Sequence, residues 1–339
     1  MPSINNGAAR PAALFVMDPA HLPRLFPPGV RERLSGVLRL PDDAAPHPVA
    51  AGGIDPAEVE VLITGWGCAP LTEPVLSGLP RLRAVLHAAG SVKHHITEAC
   101  WERGLSVSSA AAANALPVAE FTLGAILLSG KDALGTAARY AAERRPPAAA
   151  RTHTMGNYRR RVGIVGASRI GRRVIELLRP FDFEVAVHDP YLRAEEAREL
   201  GVAPLPLDEL CAVSTVLSLH APAVPATRRL LDARRLALLP DGATVINTAR
   251  GSLVDQDALE AELLSGRISA VLDVTDPEPL PVDSPLFGLE GVLLTPHIAG
   301  ALGNELERLG EVVADEAAAL CAGRPLRHRV HRSDLDTIA

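Results

Sequence analysis

The chain has 339 residues, enough for two domains, and 47% of them are hydrophobic, as in proteins that bury sizeable cores. The formal charge of -6 comes without any basic block, which excludes nucleic acid as an expected partner. Cys68, Cys100, Cys211 and Cys321 are scattered with no metal-ligand spacing, so no metal is expected and reduced thiols in a cytoplasmic protein are.

Residues 1–10 read as a loose polar tail. The apolar run over 12–17 is too short for a signal-peptide core and stops at Asp18-Pro19. No apolar run approaches the length of a membrane span, so no membrane association is expected. Period and turn residues predict strands over 13–17, 59–64, 84–87 and 105–108, with helices over 21–34 and 96–103. Residues 40–53 are rich in Pro, Gly and Ala and read as irregular. A long helix is predicted over 117–140, with Pro117 in its first turn, where proline is tolerated. Residues 144–158 read as a linker or arm. Strands then follow over 162–165, 184–188, 213–219, 244–247, 270–274 and 292–295, with helices between them and a last amphipathic helix over 302–321. This alternation predicts two parallel α/β sheets.

The second α/β block opens with Arg161-Val-Gly-Ile-Val-Gly-Ala-Ser-Arg-Ile-Gly171, a strand, a glycine turn and a helix start. That order is the dinucleotide fingerprint, in which the helix N-terminus offers unpaired N–H groups to a pyrophosphate. Gly166 makes the tight turn and Gly171 lets helix and strand pack closely, with Arg169 and Ile170 between. Ser168 stands where the pattern has its second glycine, and its hydroxyl could bond a phosphate oxygen. Asp189, at the end of the next strand, suits the adenosine ribose hydroxyls and favours NAD over NADP, although Arg193 nearby works the other way. His220, Arg250, Asp273 and His297 all stand at the carboxyl ends of predicted strands, where ligands gather in open parallel sheets.

The motifs Asn-Thr-Ala-Arg250-Gly, Leu-Asp273-Val with the later Glu278-Pro, and Thr-Pro-His297-Ile-Ala-Gly300 follow the fingerprint in that order. Together with His-Asp189-Pro-Tyr and Leu-His220-Ala-Pro they resemble the D-isomer-specific 2-hydroxyacid dehydrogenases from about Val59 to Cys321. The resemblance implies two Rossmann-like domains: a doubly wound parallel-sheet NAD domain over 117–301, inserted into a smaller flavodoxin-like substrate domain over 1–116 and 302–339. It implies an NAD-dependent oxidoreductase moving a hydride between NADH and a small 2-oxo acid, with the active site in the cleft. Arg250 would clamp the substrate's carboxylate and carbonyl oxygen, a bidentate task that suits arginine. His297 would give and take the proton, and Glu278 would hold its ring and favour its charged form. Gly90, Ser91 and Val92 resemble the loop whose N–H groups hold the substrate carboxylate. Cofactor contacts are implied for Gly166, Ser168, Arg169, Ile170, Gly171, Asp189, His220, Thr227, Thr248, Ala249, Asp273 and Gly300. His220 is as readily structural. Lys93, His94 and His95 either line the substrate pocket or form a solvated face, and Trp66 is a candidate pocket wall.

The resemblance also implies a homodimer formed through the 144–158 arm. Formate dehydrogenases pair the histidine with glutamine, so Glu278 argues against that activity. The alternative from another class is a dinucleotide-sensing regulatory protein of the same fold.

Overall fold

The structure, a computed structural model, describes residues 10–48, 53–146 and 155–335. Residues 1–9 of the predicted N-terminal tail and parts of the 40–53 and 144–158 stretches lie outside them. The chain divides into two compact units: one runs to Asn114 and takes back Ala301–Leu335, and the other is Ala115–Gly300.

The N-terminal unit is built on β1 (Ala12–Val16), β2 (Ala44–Ala45), β3 (Val59–Thr64), β4 (Ala84–His87), β5 (Ser106–Ser109) and β13 (Arg329–Val330). Their order is β13-β5-β4-β3-β1-β2, parallel except for β13, which runs antiparallel to β5. Setting β13 aside, this is the 2-1-3-4-5 order of flavodoxin-like sheets. Every residue of β1 is buried, as the continuous apolar run demands of a strand covered on both faces. Phe15, Ile63 and Leu86 pack with Phe26 and Leu34 against Leu309 and Val313 of the helix Leu306–Cys321. Gly310 permits this approach, since a Cβ there would lie 1.7 Å from the Leu25 carbonyl oxygen.

Local chemistry shortened several predicted elements. The helix expected over 21–34 divides into Leu22–Leu25 and Pro28–Val37, because Pro27 and Pro28 cannot continue a helix but can start one. The helix expected over 96–103 is Glu98–Glu102, and β2 falls in a stretch read as irregular.

The C-terminal unit holds seven parallel strands: β6 (Arg161–Val165), β7 (Glu184–His188), β8 (Ala203–Pro204), β9 (Val216–Leu219), β10 (Thr244–Asn247), β11 (Ser269–Leu272) and β12 (Val292–Leu294). Their order, β12-β11-β10-β9-β6-β7-β8, reverses direction between β6 and β9. That switch point opens a crevice beyond the carboxyl ends of the strands. The strand predicted from Val213 starts at Val216, because Val213 ends the helix Leu207–Val213 and the Ser214 hydroxyl caps back onto the Leu210 carbonyl at 2.6 Å.

The single helix expected over 117–140 is two, Ala111–Ser129 and Ala133–Glu143. Alanines upstream extend the first helix to Ala111, so Pro117 lies inside it rather than in its first turn. The break follows at Gly130, which Asn157 presses from the side: a Cβ there would meet the Asn157 Oδ1 at 1.6 Å. Asp132 then takes a left-handed φ of 44°. Contrary to the expectation about apolar runs, Ala111–Ser129 is long and apolar enough by composition to cross a membrane. Its Ala119, Ala125 and Ile126 pack in the core of this unit with Val162, Ile164 and Val174, which accounts for that composition.

Candidate active site

The glycine turn after β6 is sterically obligatory. Gly166 has φ +98°, and a Cβ on it would lie 2.7 Å from the Ala221 nitrogen. A Cβ on Gly171 would lie 2.0 Å from the Gly166 carbonyl oxygen. Ser168 is the N-cap of the helix Arg169–Leu178, its Oγ accepting from the Gly171 N–H at 3.3 Å. The serine therefore replaces a glycine by doing a cap's work, and its hydroxyl hydrogen stays available to an oxygen ligand. Asp189 is tied to the same turn: Oδ2 accepts from the Ala167 N–H at 2.7 Å and Oδ1 from the Tyr191 N–H at 2.7 Å. Each carboxylate oxygen keeps further acceptor capacity. A tight glycine turn, a helix N-terminus and a held carboxylate at the end of the next strand fit a dinucleotide's pyrophosphate and ribose.

His220 is buried and Thr227 half-buried, and both already hold local hydrogen bonds. His220 is 2% exposed, its Nε2 lies 2.9 Å from Ser218 Oγ, and burial pushes its pKa down to about 3, so the ring is neutral. Among the described residues its buried Nδ1 has no hydrogen-bond partner. The Thr227 hydroxyl closes its own turn, bonding the Pro222 carbonyl at 2.6 Å and accepting from the Val224 N–H at 3.0 Å.

Beyond β10, Asn247 organises the next turn, accepting from the Ala249 N–H at 3.1 Å and donating to the Arg250 carbonyl at 2.9 Å. Thr248 is buried, with its Oγ1 3.0 Å from that of Thr122. Gly251 lets the chain pass Thr275, whose carbonyl oxygen a Cβ would meet at 2.0 Å. Burial pushes the Arg250 guanidinium below its ordinary value, and the Glu278 carboxylate pulls the other way. Glu278 Oε1 lies 2.6 Å from His297 Nδ1. Glu278 thus bonds His297 and acts electrostatically on Arg250, so the three predicted residues come together within a single unit. Glu278 engages Nδ1 of the imidazole, which leaves Nε2 to face a reactant.

Asp273 accounts for the position of His297. It is 2% exposed and accepts from the Thr295 hydroxyl at 2.6 Å, the Ile298 N–H at 2.8 Å and the Ala299 N–H at 2.9 Å. Its carbonyl also accepts from the His297 N–H at 2.9 Å. These bonds hold His297 at φ +56°, a region costly for a residue with a side chain. Three of the carboxylate's roughly four acceptor sites are therefore committed to the loop that carries His297 and Gly300, leaving one for the cofactor contact expected of it. Thr295 opens the Thr-Pro-His297 motif in the sequence, but its grip on Asp273 is visible only in the structure.

In the N-terminal unit, Gly90, Ser91 and Val92 follow β4. Among the described residues their backbone N–H groups find no backbone acceptor, as a site for an anion requires. A Cβ on Gly90 would press the Asn114 side-chain amide at 3.2 Å.

Such a turn on such a sheet defines a dinucleotide-binding class of fold, and comparison with known proteins specifies the family. Residues 125–299 match the NAD-binding domain of the D-isomer specific 2-hydroxyacid dehydrogenases. D-3-phosphoglycerate dehydrogenase of Methanocaldococcus jannaschii is 30% identical over 271 residues, 78% of this chain and 50% of its own. (S)-Sulfolactate dehydrogenase of Chromohalobacter salexigens is 34% identical over 244 residues, 71% of this chain and 78% of its own. The crystal structure of a phosphoglycerate oxidoreductase from Rhizobium etli matches with a TM-score of 0.80 at 26% identity, covering 96% of this chain and 99% of that one. The chain belongs to the D-isomer specific 2-hydroxyacid dehydrogenase family. It spans about half the length of the phosphoglycerate dehydrogenases it matches.

Proposed function

We propose that the protein is an NAD-dependent oxidoreductase interconverting a small 2-oxo acid and the corresponding D-2-hydroxy acid. The observation that carries this reading is the Arg250–Glu278–His297 set in the same unit as the Gly166–Asp189 cradle. Bound nicotinamide would supply the hydride in reduction and accept it in oxidation. Arg250, desolvated and planar, binds the carboxylate and polarises the carbonyl oxygen. His297 passes a proton from Nε2 to that oxygen in reduction and recovers it in oxidation, while Glu278 keeps the ring oriented through Nδ1. Glu278 also offsets the charge that the imidazole carries before it donates. The N–H groups of the 90–92 loop suit an anion, and Asp189 suits an unphosphorylated ribose.

The same reading includes a homodimer in the cytoplasm. Exposed Leu128, Leu134, Tyr158 and Leu264 border a groove of about 1140 Å³ at the amino edge of the seven-stranded sheet, away from the site. Such a patch favours a protein partner. Sedimentation at assay concentrations checks this, and a monomer would refute it. Burial raises the Cys68 thiol to about 12 and that of Cys211 to about 11, so neither is primed for disulfide exchange.

The test of function is NADH consumption by the purified protein with glyoxylate, hydroxypyruvate, pyruvate, phenylpyruvate and a branched 2-oxo acid, with NADPH as control. Turnover with NADH that is lost in Arg250→Lys while NADH still binds supports the assignment. NADH binding without turnover of any acid would favour a dinucleotide-sensing protein.

A further inference from the structure

The helix Ala111–Ser129 sets one buried hydroxyl against the turn that follows β10. Thr122 is 0% exposed, and Thr122 and Thr248 both belong to the C-terminal unit. The Thr122 Oγ1 lies 2.8 Å from the Val118 carbonyl oxygen, one helical turn back, and 3.0 Å from Thr248 Oγ1. A hydroxyl has one hydrogen to give, and a carbonyl oxygen has none. Thr122 therefore spends its hydrogen on Val118 and meets Thr248 with lone pairs alone. Thr248 must be the donor between them, so its single hydrogen is committed inward. Among the described residues the Thr248 hydroxyl makes no other hydrogen bond. Toward a ligand it offers lone pairs and no hydrogen.

Thr248 has a neighbour of the same character. β10 and β11 are parallel, with Asn247 opposite Leu272, so Thr248 and Asp273 are the next residues along and stand side by side at the strand ends. The Asp273 N–H donates to the Asn247 carbonyl at 3.0 Å, which carries the register past the strands. The Asp273 carboxylate gives three acceptor sites to the loop after β12 and keeps one. Neighbouring strands lie roughly 4.8 Å apart. Two oxygens that each accept one hydrogen of the same NH2 group, at roughly 2.9 Å, lie roughly 5 Å apart. The place of this pair in the crevice also matters. The cradle for pyrophosphate and ribose lies beyond β6 and β7, whereas Arg250 and His297 follow β10 and β12. A dinucleotide held at Asp189 whose reactive ring reaches Arg250 and His297 crosses the switch point onto the ends of β10 and β11.

Resting on the dinucleotide reading above, we propose that Thr122 is a positioning residue for the cofactor. By taking the hydrogen of Thr248 it leaves two adjacent acceptors, Thr248 Oγ1 and Asp273, which select the NH2 of a primary carboxamide on the nicotinamide ring. Thr122 touches no ligand and sets the polarity of the residue that does. Without it the Thr248 hydroxyl is free to turn and give its hydrogen to a carbonyl oxygen, and the site accepts a ketone in place of the amide.

The experiment measures Kd by isothermal titration calorimetry, with no acid substrate present, for NADH and for its reduced 3-acetylpyridine analogue, in which a methyl replaces the NH2. The proteins are the wild type, Thr122→Val, Thr122→Ser and Thr248→Val. The wild type should bind NADH more tightly by roughly tenfold or more, since the analogue leaves acceptors unpaired. Thr122→Val should cut that ratio roughly three- to tenfold, because the released Thr248 hydroxyl then donates to the acetyl oxygen. Thr122→Ser keeps the hydroxyl and should keep the wild-type ratio. Thr248→Val should also cut the ratio, and it tests the arrangement independently of how Thr122→Val folds. A purely structural role for Thr122 would weaken both dinucleotides alike and leave the ratio where it was. A wild-type ratio near one, or a ratio unchanged in Thr122→Val or in Thr248→Val, overturns the assignment and leaves the dinucleotide site standing. Absence of NADH binding to the wild type overturns both.

Discussion

Asp273→Asn replaces one oxygen of a buried carboxylate with an amide nitrogen and changes almost nothing in volume. With the amide oxygen in the Oδ1 position, the bonds from Thr295 and Ile298 survive, but the amide nitrogen faces the Ala299 N–H, donor against donor. In the flipped orientation the Ala299 bond survives and the Ile298 N–H is left facing a donor, while the Thr295 hydroxyl can turn to accept. Either way one backbone N–H is unpaired around a side chain that is 2% exposed. An unpaired buried donor and a weakened charge-assisted bond together cost roughly 2–4 kcal/mol. For a unit of this size that is a fall in Tm of roughly 4–16 °C. The same bonds hold His297 in its left-handed conformation at φ +56°, so loosening them lets the imidazole drift. Misplacement by about 1 Å costs a rate factor of roughly a hundred. Calorimetry and steady-state kinetics on the purified variant test both halves. A Tm within about a degree of wild type with normal kcat would show that the carboxylate does not hold this loop.

Gly166→Ala places a Cβ 2.7 Å from the Ala221 nitrogen at a φ of +98°, so the turn must shift. NADH affinity measured by fluorescence titration should fall by roughly tenfold or more, and an unchanged Kd would remove this turn from the binding site. Acid should weaken the C-terminal unit through His220. Its folded pKa of about 3 lies below the ordinary imidazole value, so the unfolded chain binds the extra proton and stability is lost as pH falls from about 6.5 toward 3. Between pH 6.5 and 5 that amounts to about 2 kcal/mol, and His220→Gln should show a shallower decline of Tm with acidification. Equal slopes for variant and wild type would mean that His220 is solvated.

Sequence alone determined what depends on near neighbours. The β-branched run before Gly166, the glycine spacing and Asp189 after the next strand required only local propensity and a fixed offset, and the strand ends that carry Arg250 and His297 were legible for the same reason. The resemblance supplied Glu278 as the partner of His297, and the 2.6 Å contact between them is in the structure. What the tertiary structure decided depends on residues far apart along the chain. The break at Gly130 needs Asn157 beside it, and β13 needs β5 to pair with. The single hydroxyl of Thr64 reaches His87 and His95, which lie 23 and 31 residues away. Asp273 reads as a cofactor contact in sequence because its position at a strand end says so. Only the folded chain shows its oxygens turned toward Thr295, Ile298 and Ala299, since a hydrogen bond is set by where donor and acceptor arrive in space, and no local period encodes that meeting.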